Sequence, residues 1–143
     1  MIKVLFVCHG NICRSPMAEF VMKDMVEKAG LSHQFQIASA AASREELGNP
    51  VYPPARRELA RHGLSCEGKT ARQITERDLE EYDYIYYMDS YNQRRLGRMF
   101  PHYDRFLPFL DRDVADPWFS GDFSQTWLDV QEGCARILEE LRE

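Results

Sequence analysis

A cysteine and an arginine lie six positions apart near the start of the chain, in the segment Cys8-His9-Gly10-Asn11-Ile12-Cys13-Arg14. A thiolate is a strong nucleophile, and a guanidinium can hold two oxygens of a phosphate at once. Together they suggest nucleophilic attack on phosphorus. The spacing alone is weak evidence, because so short a motif occurs by chance and a free cysteine at a strand end is often a small core residue.

The flanking segments predict how this pair would be positioned. Residues 2–7 are almost all apolar, which predicts a strand covered on both faces, as in a parallel sheet. Ser15-Pro16 then predicts a helix start, with Ser15 as the N-cap and Pro16 at the first helical position. A loop between a strand and a helix N-terminus favours a bound anion, and Gly10 would allow its amides to turn inward. In this setting we favour the nucleophile over the core residue.

The rest of the chain alternates between the two element types. The predicted elements are strands over residues 35–39 and 82–88, helices over residues 53–62, 90–98 and 124–141, and a loop over residues 110–123. This order predicts an α/β fold with a parallel sheet and right-handed crossovers. No repeat or linker interrupts it, so residues 1–143 are expected to form a single catalytic domain.

Composition narrows the function classes. The chain has 143 residues and a net charge of −5, which argues against a nucleic-acid or anionic-membrane surface. No signal peptide or membrane span is predicted, so we expect a cytoplasmic protein with reduced thiols. The four cysteines contain no CxxC pair, and no metal site or cofactor is expected. We interpret Cys66 and Cys134 as structural.

Further segments extend the first motif along the chain: Ser39-Ala40-Ala41, Gly48-Asn49-Pro50, Thr70-Ala71-Arg72-Gln73-Ile74, Tyr82-Asp83-Tyr84-Ile85, Met88-Asp89 and Asp116-Pro117-Trp118-Phe119. With the loop from Cys8 to Pro16 they resemble the low-molecular-weight protein tyrosine phosphatases over essentially the whole chain. The resemblance implies a three-layer, Rossmann-like fold with a four-stranded parallel sheet flanked by helices, the phosphotyrosine phosphatase I-like fold. It also implies hydrolysis of phosphotyrosine and aryl phosphates through a cysteinyl-phosphate intermediate.

The resemblance gives roles to individual residues. Cys8 would attack phosphorus while Arg14 and the loop amides hold the phosphoryl oxygens; the loop residues are His9, Gly10, Asn11, Ile12 and Cys13. Asp116 would protonate the leaving phenolate, whose pKa near ~10 makes it depart poorly unaided. It would then act as base toward water. The residues alone do not distinguish Asp116 from Asp111 or Asp113.

Other roles are implied in the same way. Ser15 would stabilise the sulfur as a leaving thiolate, while Asn11 and Ser43 would brace the loop. Cys13 would form a disulfide with Cys8 under oxidation, although it is equally compatible with a buried structural residue.

Two residues bear on substrate choice, and two depart from the family pattern. Ile12 stands where relatives that act on phosphoarginine carry threonine, and Trp118 would form an aromatic wall of the pocket. Glu45 stands where an aromatic wall residue is frequent, which predicts an acidic rim that repels anionic flanks. Lys69 replaces a frequent histidine and could alter the loop bracing.

Two other functions are compatible with parts of this pattern. A thiol-dependent arsenate reductase also uses a Cys-x5-Arg loop but needs resolving cysteines near the site. A phosphopeptide-binding module would not need the Asp116 acid. We expect a phosphotyrosine-containing protein as substrate, no nucleic-acid partner and a monomer; the sequence does not identify the physiological substrate.

Overall fold

A central parallel sheet organises the protein, whose computed structural model describes residues 1–142. The strands are β1 (Ile2–Cys8), β2 (Phe35–Ala41), β3 (Tyr84–Tyr87) and β4 (Phe106–Pro108), in the order β2-β1-β3-β4. The helices are α1 (Arg14–Lys28), α2 (Pro53–Arg61), α3 (Glu76–Glu81), α4 (Ser90–Met99), α5 (Pro117–Ser120) and α6 (Phe123–Leu141). All strand pairs are parallel. The predicted α/β fold with four parallel strands is confirmed.

Strand β1 lies between two apolar layers because its side chains alternate between the faces of the sheet. Val4 and Phe6 pack into the larger core, with α1 and α6, whereas Leu5 and Val7 pack into the smaller one. All four are fully buried. A strand enclosed on both faces is rich in apolar residues throughout, which explains the continuous pattern at the start of the sequence.

Four helices begin at side-chain caps, and one of them is α5, which Asp116 caps. Thr75 and Asp78 form a reciprocal capping box at α3, Asp89 caps α4, and Asp122 caps α6. The α1 helix differs from the prediction: its first residue is Arg14 and its N-cap is Cys13, without a side-chain cap bond. The Ser15 hydroxyl is therefore not an N-cap.

The loops that matter for function leave one edge of the sheet. The segments after β1, β3 and β4 all follow carboxyl ends of parallel strands, which lie together at one edge. The segment after β2 joins them, because the Ser43 amide donates to the His9 carbonyl at 3.0 Å. The predicted loop over residues 110–123 holds one short helix, α5, whose cap is Asp116. Within residues 1–142, no helix is long and apolar enough to cross a membrane.

Candidate active site

The loop between β1 and α1 leaves its amides without protein partners. The carbonyls of Cys8, His9, Ile12 and Cys13 each accept a bond from a backbone amide outside the loop segment or further along α1. Within residues 1–142, the backbone amides of residues 10–13 donate to no backbone carbonyl. Consecutive free amides before a helix N-terminus form a cradle for an anion.

Asn11, not Gly10, supplies the unusual backbone conformation of this loop. Asn11 has a φ of 59°, in the left-handed region that asparagine tolerates better than most residues. Gly10 is instead closely approached by a neighbour, because a Cβ there would lie 3.2 Å from the Cγ of the Glu46 side chain. The prediction that Gly10 provides the turn is therefore corrected to close packing against Glu46.

The Cys8 sulfur is buried and faces Ser15. The Ser15 hydroxyl lies 3.0 Å from Cys8 Sγ, and the Ser15 amide donates to the same sulfur at 3.4 Å. Asn11 Nδ2 donates to Ser15 Oγ at 2.8 Å, which leaves the Ser15 hydroxyl hydrogen free to point at the sulfur. Two donors therefore stabilise negative charge on Cys8.

Asn11 continues into a buried network that braces the loop. Its Nδ2 also donates to Ser39 Oγ at 2.9 Å, and Ser39 donates to the Glu19 carboxylate at 2.5 Å. Glu19 is also contacted by Lys69, 3.3 Å away, and by Lys23, 2.6 Å away. Burial lowers the pKa of Lys69. Lys69 thus joins the loop bracing through Glu19 and the Ser39 carbonyl, to which it donates at 2.9 Å.

Ser43 does not have the predicted bracing role. Its hydroxyl accepts a long bond from the Glu45 amide at 3.4 Å, while the hydroxyl that bonds Asn11 belongs to Ser39. Ser39 lies within β2, so the rigid sheet fixes its position, whereas Ser43 lies beyond the strand end.

Arg14 is buried at the centre of the site and held by groups from distant segments. Its Nη1 donates to Asp89 at 2.6 Å and to the Val114 carbonyl at 2.8 Å, and its Nη2 lies 3.3 Å from Asp116. Burial alone would lower the pKa of Arg14, but the charges of Cys8, Asp116 and Asp89 raise it above the usual value. The guanidinium therefore stays charged and fixed in direction.

Asp116 and Trp118 reach the site through the short helix α5. Asp116 Oδ1 accepts from the Trp118 amide at 3.0 Å, while Oδ2 faces Arg14. Asp111 and Asp113 lie elsewhere: Asp113 binds Ser90, and Asp111 is exposed beside Arg112. Of the three aspartates, Asp116 alone lines the cavity.

A cavity of about 290 Å³ joins these groups. Its lining includes the predicted residues Cys8, His9, Gly10, Ile12, Cys13, Arg14, Asp116 and Trp118, together with Glu45, Glu46 and Phe119. Trp118 is 52 % exposed and its ring lies 4.7 Å from that of Tyr52, so it forms a wall and not part of the core. Asn11 and Ser15 lie behind this surface and support it.

The rim of the cavity also holds a contact between a histidine and a glutamate. His9 Nε2 lies 2.6 Å from Glu45, and the ring of Tyr91 packs edge-on against His9 at 6.0 Å. Glu46 accepts a bond from Asn49 at 3.0 Å. The predicted acidic rim is present, with the Glu45 charge partly offset by His9 when the imidazole is protonated.

The other thiols are buried. Burial raises the pKa of Cys13, and the neighbouring Cys8 raises it further, so Cys13 is held as a neutral thiol. Burial also raises the pKa of Cys66 and Cys134, neither of which lines the cavity. In residues 1–142, no cluster of three or more His, Cys, Asp or Glu side chains could hold a metal ion.

Three site residues escape the sequence interpretation: Asp89, which holds Arg14, and Ser39 and Glu19, which brace Asn11. Asp89 follows a predicted strand at the same edge of the sheet, but an aspartate directly before the helix predicted over residues 90–98 is also typical of a helix cap. Glu19 carried none, since an acidic residue on a helix is usually solvated.

A buried thiol, a fixed guanidinium, free amides and a carboxyl group around one cavity define a class of enzyme that acts on phosphate esters through a cysteine nucleophile. Comparisons with known proteins agree. Residues 3–143 match the family model described as low molecular weight phosphotyrosine protein phosphatase.

Individual relatives give the same result. The low molecular weight protein-tyrosine-phosphatase YfkJ of Bacillus subtilis is 38 % identical, over 100 % of this chain and 97 % of its own. The human low molecular weight phosphotyrosine protein phosphatase is 45 % identical, over 95 % and 93 %. The crystal structure of SP-PTP from Streptococcus pyogenes has a TM-score of 0.94 at 40 % identity, covering 100 % of this chain and 95 % of that one. The chain belongs to the low molecular weight phosphotyrosine protein phosphatase family.

Proposed function

We propose that Cys8 is the nucleophile of a two-step hydrolysis of phosphotyrosine and other aryl phosphates. In the first step the Cys8 thiolate attacks phosphorus, an S–P bond forms, and the bond from phosphorus to the phenolic oxygen breaks. Arg14 and the free amides of residues 10–13 would hold the phosphoryl oxygens. The observation that carries this proposal is that the buried Cys8 sulfur shares one cavity with those free amides and Arg14.

Asp116 acts as the acid in this step. The neutral carboxyl gives its proton to the departing phenolate oxygen, which is a poor leaving group without it. Its place beside Arg14, at 3.3 Å, puts the carboxyl next to the group expected to hold the phosphoryl oxygens. The bond from the Trp118 amide fixes Oδ1 of this carboxyl, while Oδ2 lies beside Arg14, and the residue lines the cavity.

The second step releases phosphate. Asp116, now ionised, takes a proton from water, the water oxygen attacks phosphorus, and the S–P bond breaks to return the Cys8 thiolate. Ser15 stabilises that thiolate through the 3.0 Å contact with the sulfur. Asp116 therefore gives up a proton in the first step and regains one in the second, and the enzyme returns to its starting state.

Substrate choice follows from the cavity walls. Trp118 and Ile12 offer apolar surface for the phenyl ring of a phosphotyrosine, whereas Glu45 and Glu46 add negative charge to the rim. A phosphotyrosine-containing protein is the substrate class we propose, with the whole chain working as one catalytic domain, as a monomer in the cytoplasm and without a nucleic-acid partner.

Cys13 would protect Cys8 from over-oxidation. A peroxide converts the Cys8 thiolate to the sulfenic acid, and the Cys13 thiol then displaces water to form a disulfide. Both residues line the same cavity, and both are free thiols. Reduction by a cellular thiol would restore activity.

The other functions weighed have less support. An arsenate reductase would need a relay of resolving thiols at the site. Beyond Cys13, the remaining thiols Cys66 and Cys134 are buried away from the cavity, with the Cys134 sulfur donating to the Ala18 carbonyl. A binding module would not require a carboxyl beside Arg14.

The test is hydrolysis of an aryl phosphate in the presence of a chelator. The wild-type chain should turn over, and Cys8→Ser should lose activity by several orders of magnitude while still binding phosphate. Full activity in Cys8→Ser would overturn the proposal. A panel of phosphotyrosine, phosphoserine and phosphoarginine peptides then tests the substrate class.

A further inference from the structure

An arginine-rich face of α4 begins beside the active-site mouth. Counted from Tyr91, the residues at i+3, i+4 and i+7 are Arg94, Arg95 and Arg98, a spacing that places all of them on one side of the helix. We call these three arginines the α4 stripe. The opposite side of the helix is anchored by the buried residues Asn92 and Leu96. The stripe is therefore held in a fixed direction by a helix packed on the sheet.

Contacts connect the stripe to the mouth. The Tyr91 ring lies 6.0 Å from the His9 ring, and the Arg94 guanidinium lies 5.9 Å from the Tyr91 ring. Arg95 Nε donates to the Ala42 carbonyl at 3.0 Å, which ties α4 to the segment that carries Arg44. Because α4 starts at the site edge and runs away from it, each turn places positive charge further from the cavity.

This charge is not neutralised by the protein. Among residues 1–142, no carboxylate lies within ion-pair distance of Arg44 or of any arginine in the stripe. Of the nearby acids, Glu45 faces His9 and Asp89 holds Arg14. Asp113 accepts bonds from the Ser90 hydroxyl and amide at the start of α4 and keeps its charge there. A local positive surface thus lies on a protein whose net charge is −5.

We infer that the α4 stripe binds an acidic segment of the protein substrate, next to its phosphotyrosine; the inference rests on the proposed function. From Tyr91 to Arg98 the helix advances about 10 Å, which an extended peptide covers in about three residues. Acidic residues within about three to five positions of the phosphotyrosine would therefore reach the arginines. Guanidinium groups match carboxylates through paired hydrogen bonds.

The acidic rim and the α4 stripe then have opposite effects on negative charge in the substrate. Glu45 and Glu46 disfavour negative charge close to the cavity, while the stripe favours it further along α4. Substrates with an acidic patch set back from the phosphotyrosine satisfy both. A nucleic acid or a membrane would meet the rest of a negatively charged surface, which the short stripe does not offset.

The experiment compares kcat/KM for phosphotyrosyl peptides of equal length. One carries acidic residues three to five positions before the phosphotyrosine, one carries them after it, and one is neutral. The enzymes are the wild type, Arg94→Gln/Arg98→Gln, and the control Arg57→Gln/Arg142→Gln, which removes equal charge from α2 and the end of the chain. A small aryl phosphate reports the chemistry alone.

We expect the wild type to prefer one acidic peptide by about fivefold at low salt, and the stripe variant to lose that preference. The control variant should keep it, and all three enzymes should hydrolyse the aryl phosphate equally. A wild type with no peptide preference, or a stripe variant that retains it, would overturn the inference. So would stripe-dependent binding to phosphatidylserine vesicles without a peptide preference.

Failure of the proposed function would look different. It would appear as a wild type without aryl phosphate hydrolysis. The peptide preference can then still be measured as binding, by fluorescence anisotropy with the Cys8→Ser chain.

Discussion

Removal of the Ser15 hydroxyl should slow the release of phosphate more than the first chemical step. Ser15 is fully buried, and its oxygen lies between the Cys8 sulfur at 3.0 Å and the donating Asn11 amide at 2.8 Å. In the cysteinyl-phosphate the sulfur carries little charge, and it becomes a thiolate as the S–P bond breaks. The hydroxyl bond therefore strengthens during the second step.

The size of the effect follows from the two donors to the sulfur. A hydrogen bond to a charged group contributes about 1.5–3 kcal/mol. In Ser15→Ala the backbone amide at 3.4 Å remains, so only the hydroxyl contribution is lost. A loss of about 2 kcal/mol in the second transition state corresponds to about 30-fold slower dephosphorylation.

Rapid-mixing kinetics with 4-nitrophenyl phosphate can separate the steps. Ser15→Ala should give a burst of nitrophenol close to one equivalent per enzyme, followed by slow turnover, and the phosphorylated chain should accumulate. Ser39→Ala is the matched control, because it also removes an Asn11 partner but does not touch the sulfur. Equal slowing of both steps in Ser15→Ala, with no phosphoenzyme, would refute this account of the hydroxyl.

Three other predictions concern the acid, the core and the helices. Asp116→Asn should slow esters of poor leaving groups by about 10²–10⁴-fold and activated esters far less; a leaving-group series measures this, and equal slowing would contradict the role. Burial raises the pKa of Tyr86 to about 12. The unfolded chain therefore loses this proton first, and folding stability should fall as the pH rises from about 10 to 12. Tyr86→Phe should lessen that fall in urea titrations, and an unchanged slope would contradict it. Gly97→Ala in α4 places its methyl group in open space and should stabilise the folded protein by about 0.5–1 kcal/mol. In Gly133→Ala in α6 the methyl group would collide with the Phe109 ring, so the folded protein should be destabilised by about 1–3 kcal/mol. Thermal melts that ranked the two substitutions in the opposite order would contradict the packing described at Phe109.

The sequence predicts elements well where they are long and enclosed. Strand β1 and helix α6 are visible because continuous apolar residues or a helical stripe extend over many positions. The sequence does not predict strand β4, because three residues ending in a proline show no hydrophobic periodicity. The Asp116-Pro117 pair also begins helix α5, because aspartate followed by proline is typical of a helix start.

The residues of the active site likewise differ in how well the sequence predicts them. The cradle from Cys8 to Ser15 is continuous in sequence, so its parts can be identified together. The bracing groups come from distant segments, and only the fold shows that Asn11 bonds Ser39 and not Ser43. Ser15-Pro16 has the residue types of a helix cap, whereas in the tertiary structure the Ser15 hydroxyl contacts the Cys8 sulfur.

The partners of Arg14 link the active site to the order of folding. Asp89 and the Val114 carbonyl lie 75 and 100 residues away along the chain, so Arg14 can be fixed only after β3 and the segment beyond β4 have docked. Contacts of such long range close late, because the chain must first lose the entropy of the intervening loops. The nucleophile thus acquires its oriented guanidinium only when the sheet is complete. A partly folded chain would carry a thiol without phosphatase activity, and the recovery of turnover reports the final stage of folding.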